Sequence, residues 1–204
     1  MLNMRIEFIC VVILIYKDLL YAIVCIMVKL RGAMKYRKFR MELVIGMIIV
    51  AVMGWILHYV YKWTGNAFLV GLFVPVNESV WEHMKLVYVP MLILSVVMMT
   101  RWGEELPPVT PAFLTGTFVG TWLIPVLFYT YRGIVGRGFP VADMATLFVS
   151  LIITFFFILH MVKRCMDDSL MITRIVAGVL IIIQGVLFLW FTYNPPGIGL
   201  FAAP

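Results

Sequence analysis

The chain has 204 residues, of which 64% are hydrophobic and only 13% are charged, and its mean hydropathy is +1.06. A soluble domain carries about 25% charged residues, so this composition excludes an ordinary water-soluble protein and makes the lipid bilayer the expected main partner. The net charge of +6 does not indicate nucleic-acid binding, because six of the sixteen basic residues cluster at positions 29–40, just before an apolar segment, where the charge flanking a membrane span belongs.

The first 33 residues form an apolar N-terminal extension with two interpretations. Residues 6–28 are long enough to span a bilayer, but Lys17 and Asp18 would lie near the centre of that span. Each would cost ~2.5–3.5 kcal/mol there, and sequence neighbours on a helix do not face each other. The extension is therefore either an extra apolar helix or the product of a misassigned start, with translation beginning at Met34.

Five later segments reach the ~20 apolar residues that a helix needs to cross ~30 Å of hydrocarbon. They cover about 42–61, 77–100, 109–129, 141–162 and 171–192. Residues 66–76 are apolar but too few to span, which predicts a re-entrant or interfacial segment. Residues 34–204 are therefore predicted to form one all-α domain, a bundle of about five transmembrane helices.

Lysine and arginine are unevenly divided between the two ends of this bundle. If the 29–40 cluster is inside, the same side also holds Arg101, Lys163, Arg164 and Arg174. The other side then holds only Lys62, Lys85, Arg132 and Arg137. Short cytoplasmic loops carry the excess of positive charge, so the N-terminal side of the span that begins at Glu42 is predicted to be cytoplasmic and the C-terminus outside. We expect a multi-pass protein of a bacterial plasma membrane.

The segment 75–85, Pro-Val-Asn-Glu-Ser-Val-Trp-Glu-His-Met-Lys, places ionisable groups at the start of the second span. The spacing of Glu78, Glu82 and Lys85 puts them on one helix face, and His83 points toward an adjoining face. Charged groups at membrane depth are energetically costly and usually have partners or functions. This segment is therefore the main candidate for a functional site.

Our first hypothesis is a binding site at the outer face for a lipid headgroup, an ion or a partner membrane protein. The residues proposed to form it are Asn77, Glu78, Ser79, Trp81, Lys85, Tyr131, Arg132 and Asn194. The same pattern is also typical of a helix end without a function. Asn77 is a good N-cap, and Ser79 with Glu82 fits the capping-box pattern.

A second hypothesis is a membrane-embedded, metal-assisted hydrolase acting on a lipid. Its metal ligands would be drawn from His58, Glu78, Glu82 and His83, a nitrogen and oxygen set suited to zinc or a similar ion, and Glu82 and His83 would be its catalytic residues. No HExxH motif supports this reading, and the cofactor stays unassigned. A small-solute transporter is a third hypothesis, although no inverted repeat is visible.

Two further residue patterns concern contacts between helices. Gly116 and Gly120 form a GxxxG pair, which permits close helix approach, either within the chain or in a homodimer. Gln184 is an amide inside the last span, and we expect it to hydrogen-bond to another helix.

Residues 73–86, Phe-Val-Pro-Val-Asn-Glu-Ser-Val-Trp-Glu-His-Met-Lys-Leu, resemble the hallmark of a family of small bacterial membrane proteins found mainly in Firmicutes. The tail 191–201, Phe-Thr-Tyr-Asn-Pro-Pro-Gly-Ile-Gly-Leu-Phe, resembles the second signature of that family. The resemblance covers about residues 41–201. It departs at 202–204, where Ala-Ala-Pro replaces an Asp-Pro pair. It implies a shared architecture and outer-face site, and no reaction.

Overall fold

The computed structural model describes residues 34–164 and 170–202. The predicted N-terminal extension lies outside these ranges. The chain divides into two compact units, residues 1–42 and 43–204. Of the first unit, the structure describes residues 34–42, which form the beginning of a helix. The features discussed below belong to the second unit.

The described residues form helices and loops and contain no strand. The elements are α1 (Met34–Trp63), α2 (Phe68–Gly71), α3 (Val80–Trp102), α4 (Val109–Val135), α5 (Pro140–Arg164), α6 (Leu170–Phe191) and a single 3-10 turn (Gly199–Phe201). Five of these helices, all but α2, are long and apolar enough to cross a membrane. The predicted all-α fold with five spans is therefore confirmed, and the chain is a multi-pass membrane protein.

Helix α4 packs against α3, α5 and α6. On the side that faces α5, Gly116 and Gly120 are both buried, and a Cβ on either glycine would overlap Ile158 or Thr154. The absence of these Cβ atoms lets the two backbones approach closely. The GxxxG pair thus packs within one chain, and a homodimer through it stays a prediction.

Polar side chains link neighbouring helices inside the bundle. Ser95 Oγ on α3 lies 3.0 Å from Thr117 Oγ1 on α4, and Ser150 Oγ on α5 donates to the Gly120 carbonyl at 3.2 Å. Such bonds matter in lipid, where no hydrophobic driving force acts between helices. Gln184 behaves differently from our expectation, because neither of its buried amide atoms has a hydrogen-bond partner within the described residues.

The segment between α1 and α3 folds back along one end of the bundle. Gly65 and Asn66 both have positive φ angles, 68° and 61°, and turn the chain after α1. Phe68, Leu69 and Phe73 are each more than half exposed, whereas Gly71 is buried. Residues 66–76, called the interfacial segment below, thus carry a short helix with exposed apolar side chains. The Gly71 carbonyl of this helix accepts a hydrogen bond from Lys85 of α3.

Candidate functional site

Helix α3 begins three residues later than the sequence pattern indicates. Ser79 has an extended backbone and is the N-cap, with its Oγ accepting a hydrogen bond from the Glu82 amide at 3.3 Å. Asn77 supports this cap from outside, its Oδ1 accepting from the Ser79 amide at 2.9 Å. Glu78 therefore precedes the helix, and the expected stripe of Glu78, Glu82 and Lys85 on one helix face does not form. The motif is instead divided into two clusters.

The first group, the Lys85 cluster, consists of Lys85, Glu82 and the atoms of Gly71, Val76 and Thr192 that bind them. Lys85 and Glu82 are only 1% and 2% exposed, and Lys85 Nζ lies 2.8 Å from Glu82 Oε2. The ammonium also donates to the Gly71 carbonyl at 3.1 Å and to Thr192 Oγ1 at 2.6 Å. Glu82 Oε2 accepts from the Val76 amide at 3.0 Å. The cluster thus ties α3 to the interfacial segment and to the end of α6.

Trp81 is buried in an aromatic cluster formed by α6 and the tail that follows it. Its ring centroid lies 4.8 Å from that of Phe188 and 4.8 Å from that of Phe201, and Phe191 completes the cluster at 5.8 Å. The 3-10 turn that carries Phe201 packs against the N-terminal end of α3. The two segments that resemble family signatures are therefore in direct contact.

The tail also contacts the interfacial segment through Tyr193. Its hydroxyl donates to the Phe68 carbonyl at 2.8 Å, and the two rings stack with centroids 4.5 Å apart. Partial desolvation is the main cause that raises the pKa of Tyr193 above its ordinary value, and the neighbouring Tyr61 and Glu82 raise it further. This hydroxyl therefore stays neutral and able to donate. Asn194 is exposed and donates to a backbone carbonyl of α6 at 3.3 Å.

The second group, the His58 cluster, consists of His58 from α1, Glu78 from the loop before α3, and His83 from the first turn of α3. His83 Nε2 lies 3.4 Å and His58 Nε2 3.8 Å from the same oxygen, Glu78 Oε2. One ligand atom from each of the three residues lies within 4.8 Å of the others. Lys62 Nζ is 3.9 Å from the second oxygen, Oε1. This arrangement brings together two imidazoles and a carboxylate from three parts of the chain.

The hydrogen bond of His83 Nδ1 determines which ring nitrogen directs its lone pair toward Glu78. His83 Nδ1 lies 2.8 Å from the Ser79 carbonyl, which can only accept, so Nδ1 carries a hydrogen. In the neutral ring, Nε2 then turns its lone pair toward the Glu78 carboxylate. Two electron-rich atoms 3.4 Å apart repel each other unless a proton or a metal cation lies between them. The geometry therefore suits either a proton or a metal cation between the two side chains.

The His58 cluster forms one wall of a cavity of about 350 Å³. The remaining lining comes from α1, α3, α4 and α5, in the residues Tyr59, Val80, Ile124, Phe128, Asp143, Met144, Thr146 and Leu147. A second cavity of about 330 Å³ shares His58 and Glu78 with the first, and its other lining includes Lys62 and Asn77. The two cavities thus meet at the His58 cluster.

Asp143, on the first turn of α5, is a site residue that the sequence reasoning missed. The Tyr131 hydroxyl donates to Asp143 Oδ1, and Arg132 Nη2 donates to Oδ2 at 3.3 Å. Arg132 also stacks over Phe128, 4.3 Å from the ring centroid. Tyr131 and Arg132, two residues of the predicted outer-face binding site, both bind Asp143, and their role in a binding site stays a prediction. One signal was available, since Asp143 is the single acidic residue between positions 106 and 166.

Comparison with known proteins gives a family match over most of the chain. Residues 28–203 match the family described as "Family of unknown function (DUF6512)". The chain belongs to this family. No curated protein and no solved structure matches it. Membership agrees with the resemblance described above, and the matched range includes both signature-like segments and every residue of the two clusters.

Three of the four predicted metal ligands lie together in this DUF6512 member, namely His58, Glu78 and His83. The fourth, Glu82, lies in the Lys85 cluster, where its Oε2 accepts hydrogen bonds from Lys85 Nζ and from the Val76 amide. A role for Glu82 and His83 as a catalytic pair stays a prediction, and the structure directs their two side chains to different clusters.

Proposed function

We propose that this protein binds a divalent transition-metal ion with His58, Glu78 and His83. The observation that carries the proposal is the convergence of two imidazole Nε2 atoms on one carboxylate oxygen, at 3.8 Å and 3.4 Å. A tetrahedral ion with bonds of ~2.0–2.1 Å needs its ligand atoms ~3.3–3.4 Å apart. The three ligand atoms lie within 4.8 Å of one another, so the side chains must close by up to ~1.4 Å to hold such an ion.

The ligand types favour zinc or a similar ion over calcium or magnesium, which take oxygen ligands. Two histidines and one glutamate form a set used by catalytic zinc sites, in which three protein ligands leave the fourth position open. The Nδ1 bond of His83 to the Ser79 carbonyl is the kind of second-shell contact that orients a ligating imidazole.

Of the three occupants considered for a binding site, an ion is favoured over a lipid headgroup or a partner helix. Several residues proposed for those alternatives have internal partners, among them Trp81 and Lys85. A transporter is less favoured, because the polar groups gather at one end of the bundle and not at mid-depth.

We place the site at the outer face of a bacterial plasma membrane, with the start of α1 in the cytoplasm. The excess of lysine and arginine at the opposite end supports this orientation. An exposed aromatic row on α1 near the site, Trp55, Tyr59 and Trp63, is typical of a membrane interface.

The test is metal titration of the purified full chain after treatment with a chelator. We expect one Zn²⁺ per chain, and we expect Co²⁺ to give the visible absorption of a four-coordinate site. His58→Ala, Glu78→Gln and His83→Ala should each weaken binding by more than the ~10–100-fold that follows loss of a second-shell group. His160→Ala is the control, because His160 is exposed near the opposite end of α5. Sub-stoichiometric binding, or equal affinity in all four variants, would refute the proposal.

A further inference from the structure

The cavity beside the His58 cluster is amphipathic. Its lining combines the polar side chains His58, Glu78 and His83 with apolar side chains of α3, α4 and α5, among them Ile124 and Phe128. Its volume of about 350 Å³ lies at the lower end of the ~300–1,000 Å³ that is usual for small-molecule sites. The cavity therefore fits the polar end of an amphiphile and the first part of its chain.

The charges that line this cavity restrict the kind of polar end it accepts. Its ionisable lining comprises two carboxylates, Glu78 and Asp143, and two histidines, and none of the described lining residues is lysine or arginine. An anionic phosphate would approach Asp143 without a lysine or arginine to receive it, and repulsion between like charges is strong away from bulk water. The nearby cations Lys62 and Arg132 are each already paired with one of these carboxylates, so a phosphate would have only the metal to bind it. A neutral carbonyl group meets no repulsion from Asp143 and can also bind a metal through its oxygen, so we favour an acyl ester or amide as the substrate.

Asp143 lines the same cavity as His58, Glu78 and His83 and is the acidic residue there that lies outside the proposed metal ligands. Its two oxygens each accept one hydrogen bond, from Tyr131 and Arg132, which lie outside the cavity lining. A carboxylate offers about four lone-pair positions, so two remain available. The carboxylate is thus oriented by two donors and still has acceptor capacity for a water molecule.

The second cavity offers water a separate route to the proposed metal site. It meets the first cavity at His58 and Glu78, and Lys62 and Asn77 give it a polar lining. Water has a polar approach from this side while the acyl chain occupies the other. Separate approaches for water and chain are what hydrolysis of an amphiphile requires.

Resting on the metal site proposed above, we propose that this protein hydrolyses the ester or amide bond of a long-chain fatty acyl compound, with Asp143 as the general base. The metal, which His58, Glu78 and His83 would hold, would lower the pKa of a bound water molecule. Asp143 takes a proton from the attacking water, whose oxygen bonds to the acyl carbon. The bond from that carbon to the leaving oxygen or nitrogen then breaks, and the proton passes from Asp143 to the leaving group. The products are a fatty acid and an alcohol or an amine, so the one water consumed balances the reaction.

The test uses the full chain in lipid nanodiscs loaded with Zn²⁺, with p-nitrophenyl palmitate as the ester probe and a fluorogenic palmitoyl amide as the amide probe. We expect turnover of one of these probes, which identifies the bond type. Asp143→Asn should lower that turnover by ~10²–10⁴-fold, the usual contribution of a general base, with zinc content unchanged. Glu104→Gln, an exposed acidic residue outside the cavity, is the matched control.

Two further variants separate chemistry from folding. Ile124→Trp should fill the apolar part of the cavity and reduce p-nitrophenyl palmitate turnover at least tenfold, while the zinc content stays the same. Tyr131→Phe keeps the Asp143 charge but removes one orienting donor, so an intermediate loss is expected. Protein that holds zinc yet cleaves neither probe, or Asp143→Asn with full activity, overturns this inference alone. Protein that holds no zinc overturns the metal site and this inference with it.

Discussion

Substitution of Glu82 by glutamine tests whether the Lys85 cluster stabilises the fold. The amide keeps an acceptor for the Val76 amide but leaves Lys85, 1% exposed, without its counter-charge. Removal of one partner from a buried ion pair costs ~3–5 kcal/mol, because a desolvated charge is left uncompensated. For a chain of this size each kcal/mol shifts the melting temperature by ~2–4 °C, so the expected loss is ~6–20 °C.

The double variant Glu82→Gln with Lys85→Met provides the decisive comparison. It removes both charges, and replacing a buried pair with neutral side chains is often close to neutral. The Gly71 carbonyl and the Thr192 hydroxyl each lose a donor, at about 1 kcal/mol per hydrogen bond. We therefore expect the double variant to lose only ~2 kcal/mol and to be more stable than Glu82→Gln alone, with a coupling energy in the range of ~0.5–3 kcal/mol found for contacting residues.

Thermal unfolding in detergent, followed by tryptophan fluorescence, measures these differences. Lys62→Met and Glu104→Gln are charge-matched controls at exposed positions and should change the melting temperature little. The reasoning is refuted if Glu82→Gln melts within ~2 °C of the wild type, because a shift that small corresponds to a loss of no more than ~1 kcal/mol. It is equally refuted if the double variant is less stable than Glu82→Gln alone.

Three other predictions concern packing and topology. Gly120→Val should destabilise the bundle by ~1–3 kcal/mol because the added side chain collides with α5. Gly178→Ala has open space around it and should raise the stability by ~0.5–1 kcal/mol. Unfolding in detergent compares the two variants. Phe201→Ala should expose the aromatic cluster of the tail and speed proteolysis of residues 192–202, and an unchanged cleavage rate would contradict that packing. In a chain without its native cysteines, Lys62→Cys should react with an impermeant maleimide on intact cells and Lys163→Cys only after permeabilisation; the opposite pattern would reverse the proposed orientation.

The helices were predictable because their cause is local. Hydrocarbon thickness fixes the length of a span, and the apolar runs show where each one lies, so all five appear in the structure. Their ends were less accurate. The serine cap shortened the start of α3, since Ser79 and Glu78 lie outside the helix, and this choice depends on one hydrogen bond that competes with a further helical turn.

The candidate site was only partly predictable. The concentration of ionisable groups at 75–85 drew attention to Glu78 and His83, and His58 was expected at a similar depth. Asp143 was missed, because an acidic residue at the start of a helix is ordinary and its partners lie on α4, 11 and 12 positions earlier in the chain.

By itself, the sequence determined the class of protein, the number of spans and the segment in which the polar groups lie, because composition and run length are properties of one stretch of chain. Only the tertiary structure decided which of those groups act together. It joined Glu82 to Lys85 and Thr192, and it joined Glu78 to the two histidines. Partners of this kind are separated by up to 107 positions, and no local pattern specifies which helices will bring them within hydrogen-bonding distance.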